Sequence, residues 1–327
     1  MKGKAVVFPD MNKVELRLVD IPEPSEEDVV IDVECSWISI GTESSYLRGE
    51  RIAGEQRYIE GGPWPFPHVP GYQKVGIVKS IGSKVSKVSV GDRVFASVSK
   101  VSNMFFDEAG HISPAVTHEN QVWKLPGGSI AEDYAGLVLT QVGYNCGMRP
   151  EFNSGDMTVV IGDGLVGQWA AQTLLHREGS VIVLGRHDER LSFLPSNIKS
   201  FNTKKIPLPD ILSQFEAIKV VIDTVGDMET VSMLQPKMAH NSHLVSAGFL
   251  GEKGLVDIQT LRDQEITLHT PSGWQKERMD HTLLGIKEGW LKTSTLITDR
   301  FPIDKVDEAW RYIIETKSNV LGVLLEW

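Results

Sequence analysis

The sequence is poor in cysteine. Cys35 and Cys146 are the only two in 327 residues, too few for a disulfide framework, and a reducing, cytoplasmic compartment is expected. Long apolar runs are also missing. No stretch suffices to span a bilayer, and Met1-Lys2-Gly3-Lys4 leads directly into the strand-like Ala5-Val6-Val7-Phe8 with no secretory apolar segment. Positive charge is short as well: 33 Lys and Arg against 43 Asp and Glu leave a net charge of −10. With no basic cluster to offset it, that balance argues against a nucleic-acid surface. Internal repeats and low-complexity segments are absent. No membrane or nucleic-acid partner is therefore expected. The length allows two domains with separate cores.

Two patterns follow one another along the chain. Up to about residue 125, alternation and turn residues mark short strands at 4–8, 14–20, 28–36, 74–81, 93–97 and 121–124. Gly91-Asp92 and Pro126-Gly127-Gly128 punctuate them. Residues 49–70 carry Pro63, Pro65, Pro67 and Pro70 with several aromatics, the composition of a long ordered loop. From about Ser129 helices and strands alternate. A helix is expected at 130–146 and strands at 158–161, 181–184, 200–202, 220–223, 244–247 and 266–269, the order of a doubly wound parallel sheet. A helix at 304–316 and a strand at 323–327 close the chain.

The richest segment is 158–190. The apolar run Thr158-Val159-Val160-Ile161 enters the turn Gly162-Asp163-Gly164-Leu165-Val166-Gly167, followed by an amphipathic run to Arg177 that buries Val166, Trp169, Ala170, Thr173 and Leu174. The next apolar run, Val181-Ile182-Val183-Leu184, ends at Gly185-Arg186-His187. Strand, glycine turn, helix and strand in this order form the context of a dinucleotide fingerprint. Gly162 allows the tight turn, Gly164 lets backbone approach a pyrophosphate, and Gly167 lets helix and strand pack closely. The free N–H groups of the helix start face the phosphates.

The end of the second strand bears on which nucleotide binds. NAD sites place Asp or Glu there to bond the ribose 2′-OH. This chain has Gly185, then Arg186 and His187, with Arg190 close by. A carboxylate would repel a 2′-phosphate, whereas Arg pairs with one bidentately. NADPH is expected, unless Arg186 and Arg190 are simply solvated residues at a helix start.

Together these features resemble the medium-chain dehydrogenase/reductase superfamily. The resemblance runs through Val69-Pro70-Gly71-Tyr72-Gln73-Lys74-Val75-Gly76, Val90-Gly91-Asp92-Arg93-Val94, the glycine turn and the tail from Arg300 to Ala309. It implies an α/β plus β fold: a GroES-like catalytic domain at 1–128 and 272–327, interrupted by a Rossmann domain at 129–271. It further implies an active site for a small-molecule substrate in the cleft between the domains and a homo-oligomer, a dimer. Thr224, Val225 and Gly226 after one strand, and Ala247, Gly248 and Phe249 after the next, would flank the nicotinamide and its ribose, with Val142 against the ring.

The familiar members of that superfamily carry catalytic zinc, and this chain departs from them at every ligand. Ile40-Gly41-Thr42-Glu43 stands for Cys-Gly-Ser/Thr-Asp, Gly71-Tyr72-Gln73 for Gly-His-Glu, and Val138 at the third ligand. Ile and Val offer no donor atom, and Tyr and Gln are poor zinc ligands. The four cysteines of a structural zinc lobe are missing between Ser97 and His118. No metal is expected. His240 and His243 have a metal-like spacing but no third ligand in view, and His68, His111 and His118 fall in loops.

Without zinc, hydrogen-bond donors must stabilise a developing oxyanion and supply its proton. Tyr72, at the family's His-ligand position, either does so or fills the space of the absent metal. Thr42 matches the family's proton-relay hydroxyl, or bonds neighbouring backbone. Glu43 orients Thr42, pairs with a cation such as Arg48, binds substrate hydroxyls, donates a proton, or ties down its loop. Gly41-Thr42-Glu43 with Pro70-Gly71-Tyr72 is similar to the branch containing bacteriochlorophyllide a hydroxyethyl dehydrogenase, which implies secondary alcohol/ketone chemistry. Trp64, Phe66, Phe105, Phe106 and Trp274 are candidate apolar pocket residues. The expected function is zinc-independent, NADPH-linked hydride transfer between nicotinamide and a secondary alcohol or ketone. Reduction of a conjugated C=C bond, and non-catalytic NADPH binding, remain alternatives.

Overall fold

Alternation of exposed and buried positions marks some strands of the chain, and burial along nearly the whole run marks others. In Lys2–Val7 the exposed Lys2 and Lys4 alternate with buried Gly3 and Ala5. Asp28–Ile38 is buried along almost its whole length, as befits a strand covered on both faces. The computed structural model describes residues 1–53, 56–250, 254, 256–316 and 320–327. It divides into two units, residues 1–138 with 293–327, and residues 139–292.

The first unit is a β structure closed by the chain's return. One sheet runs in the order Val122–Lys124, Arg93–Ala96, Lys74–Ile81, Asp28–Ile38, Gly322–Glu326, Ile297–Pro302. Ala115–His118 also pairs with Asp28–Ile38. The C-terminal strand is knit in antiparallel fashion, Val323 opposite Ile38 and Glu326 opposite Cys35. A smaller sheet joins Ile112–Ser113, Lys2–Val7 and Glu15–Asp20. Ala5, Val29, Ile31, Val94, Ile112 and Val116 are among the residues of its core.

The second unit holds a parallel sheet in the order Lys199–Asn202, Ser180–Gly185, Met157–Ile161, Ile218–Asp223, Met238–Ser246, Thr267–His269. This is the doubly wound Rossmann arrangement. The chain builds outward from Met157–Ile161 on one side, then crosses back to lay Ile218–Asp223 on the other. That reversal creates a crevice at the carboxyl ends of these two strands, where ligands bind in such sheets.

Two expected features differ in the structure. The helix expected at 130–146 is two helices, Ala131–Tyr134 and Leu137–Met148. Between them Gly136 lies against the indole of Trp37, which a Cβ would meet at 3.0 Å. The second unit also extends past 271 to Lys292. Gln141 donates to Gly273 O, Trp169 Nε1 donates to Lys292 O, and Lys292 N donates to Gln172 Oε1, so residues 272–292 are tied to it. The helix Lys276–Lys287 within this stretch had no counterpart among the expected elements. Of the expected loop at 49–70, residues 54 and 55 lie outside the described residues, and short strands Arg51–Ala53 and Gln56–Arg57 punctuate the rest.

Candidate functional site

In the second unit each glycine of the fingerprint has its own role. Gly162 has φ +115°, a left-handed conformation, and a Cβ there would meet Val225 Cγ2 at 2.8 Å. A Cβ on Gly167 would drive into the carbonyl oxygen of Gly162. Gly164 differs from both, because a Cβ added there would meet nothing within 4 Å. Its missing side chain leaves open space at the start of the helix Leu165–His176. No side chain caps that helix, and its first turn carries no acidic residue. Open space beside uncapped N–H groups fits a pyrophosphate. Leu165 is buried and Val166 half-buried in that first turn.

The loops expected around the nicotinamide are held by Asp223, a residue the sequence reading placed only as a strand end. Its Oδ1 accepts from Val225 N and Gly226 N, both at 2.9 Å, and its Oδ2 from Asp227 N at 3.1 Å. Its carbonyl accepts from Ala247 N and Gly248 N. Gly248 lies so close to Val225 and Gly226 that a Cβ would overlap their backbone. Thr224 Oγ1 donates to Ile161 O at 2.8 Å, joining this loop to the fingerprint strand. Val142 is half-buried on Leu137–Met148 and packs on the core beneath the sheet.

The strand end at Gly185 carries a correction. A carboxylate is present there, delivered from the glycine turn itself. Asp163 Oδ2 accepts from Arg186 N at 2.6 Å and from His187 N at 2.8 Å. His187 Nδ1 lies 3.1 Å from the same oxygen, and Arg190 Nη1 lies 3.6 Å from Oδ1. Gly185 is what admits it, since a Cβ there would meet Asp163 Oδ2 at 2.7 Å. The Arg186 side chain is exposed.

In the first unit, Tyr72, Thr42 and Glu43 are brought together with partners that the sequence did not reveal. The Tyr72 phenol donates to Ser39 Oγ at 2.6 Å and is also bonded to the Thr42 side chain. Burial pushes this phenol well above its ordinary pKa, and the bond to Ser39 offsets only part of that. Tyr72 and Thr42 are half-buried, whereas Glu43 is fully buried. Glu43 Oε1 accepts from Ser39 N at 2.7 Å, and Oε2 lies 2.9 Å from His111 Nε2. The other ring nitrogen of His111 lies 2.8 Å from Ser36 Oγ, which accepts from Trp327 Nε1 at 2.9 Å. His111 packs against Gly71, where a Cβ would stand 2.7 Å from the ring.

Glu43 therefore holds the backbone that presents Ser39 to Tyr72, and does not pair with Arg48. The Arg48 guanidinium is engaged by Glu50 at 2.6 and 2.8 Å. Ser36, His111 and Glu43 have the order of a nucleophile triad, but Ser36 is fully buried and already accepts from Trp327, which leaves it no route to a substrate. Two residues before Gly76, Lys74 is also fully buried, donating to Ser97 O at 2.5 Å, and burial pulls its amine down to about 7.

Among the described residues no group of three or more His, Cys, Asp or Glu side chains is placed to hold a metal ion. His240 lies 3.4 Å from Glu265, while His243 Nδ1 meets His269 Nε2 at 3.1 Å. His118 bonds Glu27 and Asn120. Trp64, Phe66, His68, Phe106 and Phe105 form a continuous ring cluster with centroid separations of 4.8–6.0 Å. Burial holds the His68 imidazole down to about 4, so it packs as a neutral ring. Among the described residues no helix is long and apolar enough to cross a membrane.

Comparison with known proteins bears on the fold. Residues 26–135 match the alcohol dehydrogenase GroES-like domain. Over its full length the chain is 24% identical to 2-desacetyl-2-hydroxyethyl bacteriochlorophyllide A dehydrogenase of Cereibacter sphaeroides, covering 99% of that protein. Residues 26–135 belong to that domain family, and the full-length likeness supports a medium-chain dehydrogenase/reductase. Solved structures of similar fold include an Escherichia coli CFT073 alcohol dehydrogenase in complex with NADH, 21% identical with a TM-score of 0.84 over 100% of this chain and 99% of that one. A Sinorhizobium meliloti 1021 dehydrogenase bound to NADP is 17% identical, with a TM-score of 0.80 over the whole of both chains. Solved structures of this fold are thus seen with either nicotinamide cofactor.

Proposed function

We propose that this protein is a zinc-independent, NADPH-linked oxidoreductase acting between a secondary alcohol and its ketone. The observation that carries the reading is the trio of hydroxyls on Tyr72, Ser39 and Thr42, standing where zinc-dependent relatives have a ligand and its surroundings. NADPH, when bound, supplies the hydride. Gly164 and the N–H groups of the helix Leu165–His176 would hold its pyrophosphate, and Arg186 would pair with the 2′-phosphate. The loops at Thr224–Gly226 and Ala247–Phe249 would hold the ribose and nicotinamide, with Val142 a further contact for the ring.

With substrate bound, the Tyr72 phenol turns its single proton from Ser39 Oγ to the carbonyl oxygen as charge develops and passes it to the nascent alkoxide. Ser39 and Thr42 orient the phenol, and Glu43 holds Ser39 in place. Independence of zinc rests on the donor chemistry of Ile40, Tyr72 and Val138, two of which have no ligating atom. The ring cluster from Trp64 to Phe105 supports an apolar ketone as substrate. A cytoplasmic homodimer is proposed on the family likeness, and light scattering checks the dimer.

The test follows deuterium from [4-²H]NADPH into panels of ketones and enones, using protein washed with EDTA. Deuterium on the carbinol carbon, with turnover intact after chelation, is expected. Deuterium on the β-carbon of an enone would move the reading to C=C reduction, and cofactor binding without turnover of any compound would reduce it to a binding protein.

A further inference from the structure

The acid beside Gly185 has no role in the reading above, and its geometry gives it one. Asp163 is the middle residue of Gly162-Asp163-Gly164, so it belongs to the pyrophosphate turn, yet its carboxylate reaches across to the end of the neighbouring strand. There it bonds the backbone N–H groups of two consecutive residues, Arg186 and His187. It also stands beside the His187 ring and the Arg190 guanidinium. The side chain is 7% exposed. Oδ2 already accepts from two backbone N–H groups, so both lone pairs of this oxygen are taken and it has none left for a ribose hydroxyl.

Two neighbours complete the arrangement. Gly185 gives the carboxylate its room. Gln168 Nε2 donates to Arg190 O at 2.7 Å and holds the short helix Asp188–Leu191 from the other side. The Arg186 backbone is thereby fixed from the glycine turn while its side chain projects into solvent. A charge-assisted bond to a backbone N–H inside the protein is among the stronger orienting contacts available.

We propose that Asp163 is a specificity-determining positioning residue. It clamps the Arg186-His187 turn to the pyrophosphate loop, and so sets the Arg186 guanidinium where a nucleotide 2′-phosphate arrives once the pyrophosphate is seated. It acts through Arg186 and does not itself touch the phosphate. This rests on the NADPH reading and adds to it the residue that enforces the preference. One carboxylate couples the part of the site common to both cofactors to the part that tells them apart.

The test measures dissociation constants for NADPH and NADH by tryptophan fluorescence in the wild type, Asp163→Ala, Asp163→Asn and Arg186→Ala, with thermal unfolding of each. An NADPH preference in the wild type is required by the cofactor reading. A wild type that prefers NADH sinks that reading and the present one with it. Given the NADPH preference, Asp163→Ala should lose at least tenfold in NADPH affinity and less than threefold in NADH affinity, like Arg186→Ala. Asp163→Asn should rescue the ratio to within threefold of wild type, because one amide oxygen can still accept both backbone N–H groups. Equal losses for both cofactors in Asp163→Ala would overturn the proposal and leave the cofactor reading standing. So would a gain in NADPH affinity in Asp163→Asn, since Asp163 would then be opposing the phosphate by its charge. Should Asp163→Ala not fold, failure of Asp163→Asn to keep the wild-type ratio decides against the proposal.

Discussion

Glu43 and His111 are each other's partner inside the first unit, with Oε2 and Nε2 2.9 Å apart and neither side chain exposed. Sixty-eight positions separate them in the chain. Removing one member of such a pair leaves the other buried without compensation. Glu43→Ala should therefore cost roughly 3–5 kcal/mol of stability. Glu43→Gln, whose amide can still accept from Ser39 N and donate to His111, should cost much less. Urea unfolding of both variants measures the difference. Similar losses in the two would show that the pair's charge, and not its hydrogen bonding, holds the loop.

Tyr72→Phe should lower turnover by about 10²–10⁴-fold, the range of a positioned general acid. NADPH affinity should stay nearly constant, because Tyr72 belongs to the other unit from the fingerprint. The direction of the phenol's shift adds a pH signature. An acid must hold its proton to donate it, and burial raises this pKa. Ketone reduction should accordingly show no loss attributable to Tyr72 as pH rises from neutrality through the ordinary phenol range. Unchanged turnover in the variant would remove Tyr72 from the chemistry.

Gly164 and Gly167 make opposite demands, and alanine separates them. At Gly167 a methyl group strikes the Gly162 carbonyl, and overpacking of that kind costs roughly 1–3 kcal/mol or more. At Gly164 the methyl meets open space and the φ of −77° suits any residue. Gly164→Ala should change the stability of the free protein by less than about 1 kcal/mol. It should nevertheless lose NADPH affinity at least tenfold, because the methyl occupies the approach of the pyrophosphate. Thermal unfolding without nucleotide and fluorescence titration with it distinguish the two.

Lys74 should tilt the stability of the protein with pH. Its amine ionises near 10.5 when free and is lowered by burial to about 7 in the fold. Above 10.5 neither state carries the proton. As pH falls from there toward 7, the unfolded chain takes up a proton that the folded chain refuses, so stability declines. Below 7 both states are protonated and the decline stops. The slope attributable to Lys74 is on the order of 1 kcal/mol per pH unit between these limits. Lys74→Met should lack it, which urea unfolding at a series of pH values would show as a flatter profile than that of the wild type.

The nucleotide-binding unit was largely legible because its signals are local. Six successive strands and the glycine turn are apolar runs and small residues whose meaning depends on neighbours in sequence. The turn's own Asp163 was in plain view between two glycines, but its direction was not, since only the packed sheet brings it to Arg186. The same holds for Glu43. Its candidate partner Arg48 was near in sequence, whereas the real one, His111, came from a distant loop. No pattern in the sequence marks Ser39 or Lys74, because a serine ahead of a helix and a lysine opening a strand are ordinary.

Periodicity, glycine placement and the order of elements thus determined by themselves that a β-rich part is followed by a parallel sheet with a nucleotide turn, whereas the return of residues 293–327 to the first unit is seen in the tertiary structure. These are short-range properties: which side chains alternate, where backbone must turn tightly, where a helix starts. Tertiary structure alone decided which polar groups share the interior. It placed Asp163 across Gly185, set His111 against Gly71 and Glu43, and turned the Tyr72 phenol to Ser39. The physical reason is that a buried polar atom must find a partner wherever the fold supplies one, and that partner is chosen by proximity in space and not by separation along the chain.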